Sequence, residues 1–176
     1  ERGRYLAEET AKGMKNIRID FGYTSPLIRA KETAQIILGD RNVPLMEDER
    51  IEELCFGSCE GMKFRGECTD PGSEAFQRFF TDTENYIPSE GAETIKELYE
   101  RTGRFLKEIA ERKDLQDSHV LVSTHGAAMT ALLNRIRGNM KVKDFWKYKV
   151  PKNCAVAVVE INGKEIIIQE EGIIYY

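Results

Sequence analysis
The sequence predicts a single α/β domain: a three-layer α/β/α arrangement on a mostly parallel sheet, with an antiparallel hairpin strand added at the C-terminal end. Three observations carry this expectation. Short β-rich runs alternate with segments of helical periodicity along the chain. Two of those runs, ending at Thr24-Ser25-Pro26 and at Ser123-Thr124-His125, hand over directly to helices. An Asn162-Gly163 pair joins two further β runs, a strong hairpin signal because both residues accept the positive φ of a type I′ turn. At 176 residues the chain has the size of one domain, residues 1–176, with ample length for a core. No internal repeat or low-complexity tract divides it.

In chain order, residues 4–15 pattern as an amphipathic helix with Tyr5, Leu6, Thr10, Gly13 and Met14 on one face. Residues 17–23 are a short strand, and residues 27–38 a helix stopped by Gly39. Residues 43–46 are a second strand. Residues 48–73 combine glycines with little periodicity, which predicts a loop, and loops carry function more often than regular elements do. Residues 73–85 form an aromatic-rich helix with Phe76, Phe79 and Phe80. Together with Phe56, Met62 and Phe64 these side chains line either a lid or, as is commoner for such a face, a core. The longest helix spans 94–112, its stripe made by Ile95, Leu98, Thr102, Phe105, Leu106 and Ile109. Val120, Leu121 and Val122 make a short apolar strand, after which Ala127, Ala128, Ala131, Leu132 and Ile136 recur at helical spacing. A short helical piece covers 142–148, and residues 155–161 and 165–169 are the hairpin strands. The terminal Ile173-Ile174-Tyr175-Tyr176 is apolar enough to be buried somewhere.

Hydrophobic residues at 41 % and charged residues at 32 % describe an ordinary globular chain. A formal charge of −4, with no basic stripe interleaved with aromatics, argues against a nucleic-acid partner. A small anionic substrate answers to local charge instead. No apolar run approaches membrane-spanning length. Because the chain opens at Glu1 without Met, the lack of a signal peptide carries little weight. A zinc site at Cys55, Cys59 and Cys68 is conceivable, but metal knuckles are more tightly spaced. Free thiols, Cys154 included, in a reducing cytoplasm are the expectation, with no metal. Oligomeric state is not legible.

The most informative stretch is 119–133, HVLVSTHGAAMTALL, which places His125 where a strand meets a helix. A helix start presents unpaired N–H groups and the positive end of the dipole, here at Gly126 and Ala127, so it suits an anion such as phosphate. Taken alone, His125 reads equally as a histidine capping a core strand. Arg29 lies in the first turn after Ser25-Pro26. In a parallel sheet such helix starts gather at the carboxyl edge, so Arg29 and His125 can share one pocket, where a guanidinium fork suits phosphate oxygens. Taken alone, Arg29 reads as a surface arginine. Glu49, Glu52, Glu53 and Glu60 crowd the loop at 48–62. A carboxyl beside phosphate and out of water is suited to general-acid work, although a solvated acidic loop is the plainer reading. Glu93 and Arg101 read as structural ion pairing or helix capping.

Taken in order, these segments resemble the histidine phosphatase superfamily, also called phosphoglycerate mutase-like, over nearly the whole chain. SPLIRAKETA resembles its Ser-Pro-Leu-x-Arg-Ala-x-x-Thr-Ala segment and RIEELCFGSCEG its acidic loop. GAET resembles its Gly-Gly-Glu-Ser, and STHG its second histidine motif. The resemblance implies a phosphate-binding Arg29, a general acid/base Glu53 (Glu52 if the alignment slips by one), and His125 as a stabiliser of the phosphoryl group. It also implies a phosphohistidine intermediate and no metal or organic cofactor. The sequence departs from the family at the nucleophile. The expected Arg-His-Gly, on the family's first strand, does not occur in these residues, whose histidines are His119 and His125. His119 has no motif around it and reads as a surface residue. The nucleophile and first strand are therefore expected upstream of Glu1, and residues 1–176 alone are expected to be inactive.

Ala127-Ala128 stands where mutases of the family typically carry Asn-Ser, and only about thirty residues separate the acidic loop from the long helix, fewer than in mutases. The expected activity is therefore that of a phosphomonoesterase acting on a small phosphorylated metabolite. A cofactor-type phosphoglycerate mutase is the alternative within the class. A non-catalytic module that binds a phosphorylated ligand is the alternative outside it.

Overall fold
A computed structural model describes residues 1–64, 66 and 69–176. The chain runs α1 (Arg2–Gly13), β1 (Phe21–Thr24), α2 (Ile28–Leu38), β2 (Leu45–Glu47), α3 (Ser73–Thr81), α4 (Ile95–Glu111), β3 (Val120–Ser123), α5 (Gly126–Ile136), β4 (Val156–Asn162) and β5 (Glu165–Ile173). The expected α/β class is what the chain adopts. One sheet is entirely parallel, in the order β2-β1-β3, and β4 and β5 form an antiparallel pair.

The register positions everything that follows. Thr24 lies level with Glu47 on one side and with Ser123 on the other, so three strands end on one line. The bond from Ser25 N–H to the Ser123 carbonyl (3.0 Å) carries the β1–β3 ladder one residue past the strands, and Asp48 N–H reaches the Thr24 carbonyl (2.9 Å). Whatever follows these strands emerges side by side at the carboxyl edge, where parallel sheets bind ligands.

The hairpin forms where Asn162-Gly163 places it, but it stands as its own two-stranded sheet instead of adding a strand to the parallel one. The turn signal is local. It pairs β4 with β5 and contains nothing about a third strand. β3 consequently pairs only with β1 among the described residues. Its Val120, Leu121 and Val122 are half-buried rather than enclosed.

Two clusters make the core. Around α4 and α5, Leu54, Phe76, Phe79, Ile95, Leu98, Tyr99, Ala127, Ala128, Ala131 and Phe145 are buried together, with Phe56, Met62, Phe64 and Phe80 packed against them. The aromatic set is therefore core, and edge-to-face pairs such as Phe56–Phe79 hold the 55–64 loop onto α3. Tyr23, Ile51 and Phe105 make the second cluster beneath the sheet.

Boundaries shift where tertiary contacts override periodicity. The strand starts at Phe21 instead of Ile17, because Ile17 N–H still closes the turn after α1 on the Met14 carbonyl. The aromatic helix stops at Thr81 and continues as a 3-10 turn over Thr83–Asn85. Thr94 caps α4 from outside, in a reciprocal capping box with Glu97. Ile173, Ile174 and Tyr175 are half-buried while Tyr176 is exposed: the Tyr175 ring lies where a side chain on Gly13 would stand, which ties the end of the chain to α1. Cys55, Cys59 and Cys154 are unbridged. Cys68, the third cysteine of the conceivable zinc site, lies outside the described residues. No helix among the described residues is long and apolar enough to cross a membrane.

Candidate active site
Three strand ends deliver three side chains to one place. After β1, Ser25-Pro26 turns the chain and α2 begins, with Arg29 in its first turn. After β3, His125 is the residue at which α5 starts. After β2, a 3-10 turn over Glu49–Ile51 leads through the extended Glu52 to Glu53. The Arg29 Nε–H donates to His125 Nδ1 at 3.0 Å, and His125 Nε2 meets Ser25 Oγ at 2.8 Å. Glu53 Oε1 accepts from the Ala127 N–H (3.0 Å) and the Ala128 N–H (3.3 Å), the open amides of the first turn of α5. The carboxylate thus sits on the helix end that the sequence marks for an anion.

The hydrogen bonds define the protonation of His125. A guanidinium Nε always carries its proton, so Nδ1 is the acceptor, and Nε2 carries the imidazole proton towards Ser25. The ring is neutral and buried, 8 % exposed. Burial, followed by the charges of Arg29 and Arg101, pushes its pKa down to about 4. Burial also raises the Glu53 carboxyl above its ordinary value, against the amides of Leu54, Ala128 and Ala127 and the charge of Arg29. A carboxyl whose proton is held more tightly and a histidine that stays neutral make a separated acid and neutral base in one pocket. Arg29 is exposed, and beyond its bond to His125 its guanidinium carries no further protein hydrogen bond among the described residues. Its Nη groups are free to grip an oxyanion.

The other sequence candidates sort themselves. Glu60 accepts from the Phe56 N–H (2.8 Å), bracing the 56–60 turn, and Glu49 is exposed. Glu52 contributes its carbonyl to Arg101. Glu93 pairs with Arg101 (2.5 Å), the structural reading of both residues, although the helix cap is Thr94. His119 lies at the opposite end of β3 from His125, half exposed near Asp20. Ala127 and Ala128 turn their methyl groups into the core and offer only their amides to the site. Gly57 has a positive φ of 56°, and a Cβ there would stand 2.2 Å from the Glu90 carbonyl oxygen, so glycine alone lets the two loops close over each other.

Sequence reasoning missed Ser25 as the His125 partner and Thr124, whose hydroxyl donates to the Ile51 carbonyl (2.7 Å) and ties the acidic turn to the His125 strand. Only the motif context around Ser25 carried a trace of the first.

The depressed His125 pKa makes stability depend on pH. The unfolded chain takes up this proton near pH 6.5 and the folded chain near 4. The stability is therefore fully present above about 6.5 and is lost as pH falls towards 4, by on the order of 3 kcal/mol. The raised Glu53 carboxyl works in the opposite direction, favouring the folded state at low pH. Urea unfolding at pH 7.5 and 4.5 is expected to show a smaller loss in His125→Asn than in the wild type. Equal losses in the two chains exclude His125 as the buried neutral group.

The sequence matches the family model of the histidine phosphatase superfamily (branch 1) over residues 1–173. It is 27 % identical to the adenosylcobalamin/alpha-ribazole phosphatase of Escherichia coli (strain K12) over 163 residues, 93 % of this chain and 77 % of that protein. It is 34 % identical to the phosphatase PhoE of Bacillus subtilis (strain 168) over 136 residues, 77 % of this chain and 63 % of that protein. Among solved structures, Bacillus stearothermophilus YhfR superposes with a TM-score of 0.85 at 26 % identity, covering 98 % of this chain and 83 % of YhfR. Phosphoserine phosphatases and phosphoglycerate mutases are also among the similar proteins.

Proposed function
The chain belongs to the histidine phosphatase superfamily (branch 1), and from that premise we propose that it forms most of the active site of a phosphomonoesterase acting on a small phosphorylated metabolite. The observation that carries this reading is the joint placement of Arg29, His125 and Glu53, with free guanidinium donors on one side and, on the other, a carboxyl that burial raises above its ordinary value.

In the proposed reaction, a histidine nitrogen attacks the phosphorus of the ester. The N–P bond forms as the ester P–O bond breaks, and Glu53 hands its proton to the departing oxygen. Arg29 and the His125 ring face the oxygens of the phosphoryl group in flight, where fixed donors lower the barrier most, while the amide end of α5 holds Glu53 beside them. Water then attacks phosphorus, Glu53 takes back a proton, the N–P bond breaks, and phosphate leaves. No metal is needed in this scheme, because the Arg29 guanidinium supplies the positive charge that faces the phosphoryl oxygens.

His119 cannot serve as the nucleophile, because it stands at the far end of β3 from the site. We place the nucleophile on a strand outside residues 1–176 that pairs with the open edge of β3. That edge supports the idea physically, since half-buried strand N–H and C=O groups, here without a ladder partner among the described residues, are rarely left unpaired. A phosphatase is favoured over a mutase because the two relatives whose identities are given above bear phosphatase names, although phosphoglycerate mutases are also among the similar proteins. The Ala127-Ala128 difference from mutases carries less than expected, since both side chains are in the core.

Residues 1–176 alone are expected to bind inorganic phosphate without hydrolysing phosphate esters. A longer polypeptide supplying Arg-His-Gly is expected to hydrolyse them through an acid-labile phosphohistidine. Robust hydrolysis by a chain verified by mass to begin at Glu1 overturns the nucleophile assignment. Binding without hydrolysis in the longer polypeptide too favours the second reading, a module that holds a phosphorylated ligand and does no chemistry.

A further inference from the structure
Arg101 stands behind the site, in the middle of α4, and its donors are fully used. Nε donates to Glu93 Oε1 (2.5 Å) and Nη2 to Glu93 Oε2 (2.8 Å). Nη1 donates to the carbonyls of Arg50 (2.9 Å) and Glu52 (2.9 Å), and Nη2 also to the carbonyl of Glu53 (3.1 Å). That is one partner for each of the five N–H groups a guanidinium has. Both members of the ion pair are 15 % exposed at their side chains. Glu93 is itself fixed, its N–H bonded to the Cys55 carbonyl (2.9 Å) on the far side of Glu53.

Charge balance alone does not explain this arrangement. An ion pair needs the Glu93 contacts, whereas the three carbonyl bonds gather the backbone of residues 50, 52 and 53 onto a single cation. That run ends in the side chain whose carboxylate reaches the α5 amides. A small shift in the backbone here moves the carboxyl off both, and a displacement of about 1 Å can cost about 10²-fold in rate.

We propose that Arg101, oriented by Glu93, is a positioning residue that sets where the Glu53 carboxyl stands over the start of α5. It touches no substrate. It acts through the backbone of the acidic turn, so the role belongs to its fork of donors and not to its charge. The proposal rests on the reading of Glu53 as the general acid, and two separate measurements distinguish their failures.

The first uses Arg101→Lys, which keeps the charge and loses the fork. By NMR the amide signals of Ala127 and Ala128 and the Glu53 carboxyl titration are expected to move, while the protein stays folded. The second follows turnover in the polypeptide that carries the nucleophile. Arg101→Lys is expected to lower turnover of alkyl phosphates by about 10²-fold and to leave activated aryl phosphates within about threefold, because only the former need a delivered proton. A merely structural arginine would lower the melting temperature and both activities together. If the wild type has no phosphatase activity the general-acid reading fails, and the NMR signals still decide the positioning. Should Arg101→Lys fail to fold, Glu93→Gln is expected to produce smaller shifts of the same signals. Unchanged Ala127, Ala128 and Glu53 signals in a folded variant overturn the proposal.

Discussion
Replacing His125 or Arg29 with Ala is expected to lower phosphate-ester turnover by about 10²–10³-fold, the loss typical of one preorganised charge-stabilising group. The measurement is steady-state hydrolysis by the polypeptide that includes the nucleophile. The two substitutions are expected to be far from additive, because the Arg29 Nε–H is bonded to His125 Nδ1 and removing either side chain releases the other. Arg29→Lys is expected to recover only part of the loss. It restores a charge but neither the planar fork nor the bond that holds the neutral ring. Losses below tenfold for both alanine variants would remove them from the transition state and leave them a structural pair.

Glu53→Gln is expected to separate substrates by their leaving groups. Hydrolysis of alkyl phosphates should fall by about 10²–10⁴-fold, the range for general-acid catalysis, while activated aryl phosphates lose little. The amide of Gln still accepts from the Ala127 and Ala128 N–H groups, so the backbone arrangement is retained and only the transferable proton is removed. The raised carboxyl pKa gives the wild type an activity on alkyl esters that declines as pH rises through that value, and the decline should vanish in the variant. Equal losses on both ester types would exclude Glu53 as the acid.

Much of the arrangement was legible because it depends on short-range pattern. The strand-to-helix handovers at Thr24-Ser25-Pro26 and Ser123-Thr124-His125 are written in adjacent residues. Parallel strands necessarily bring their following helix starts to one edge, so Arg29 and His125 could be expected together before any contact was known. The Asn162-Gly163 turn and the α4 stripe are legible for the same reason, and so was Thr94-x-x-Glu97, whose capping box went unread beside the more conspicuous Glu93.

The rest depends on partners far apart in the chain. Ser25 meets His125 across 100 residues, and Arg101 meets the acidic turn across about fifty. Those pairs follow from strand order and helix packing, which no local period encodes. Of four glutamates in one loop, the backbone path selects the one that reaches the α5 amides. Burial, a property of the packed molecule, then raises the Glu53 carboxyl above its ordinary value and keeps the second proton off His125. The phenylalanines were ambiguous between lid and core until α3, α4 and α5 were packed around them. The hairpin likewise was certain as a pair and undetermined in its neighbour. The sequence by itself determined the α/β class, the family and the residue types at the carboxyl edge, because these reside in periodicity and motif. Tertiary structure alone decided which donor meets which acceptor and which groups lose water, because hydrogen bonds and desolvation depend on distances that only the folded chain defines.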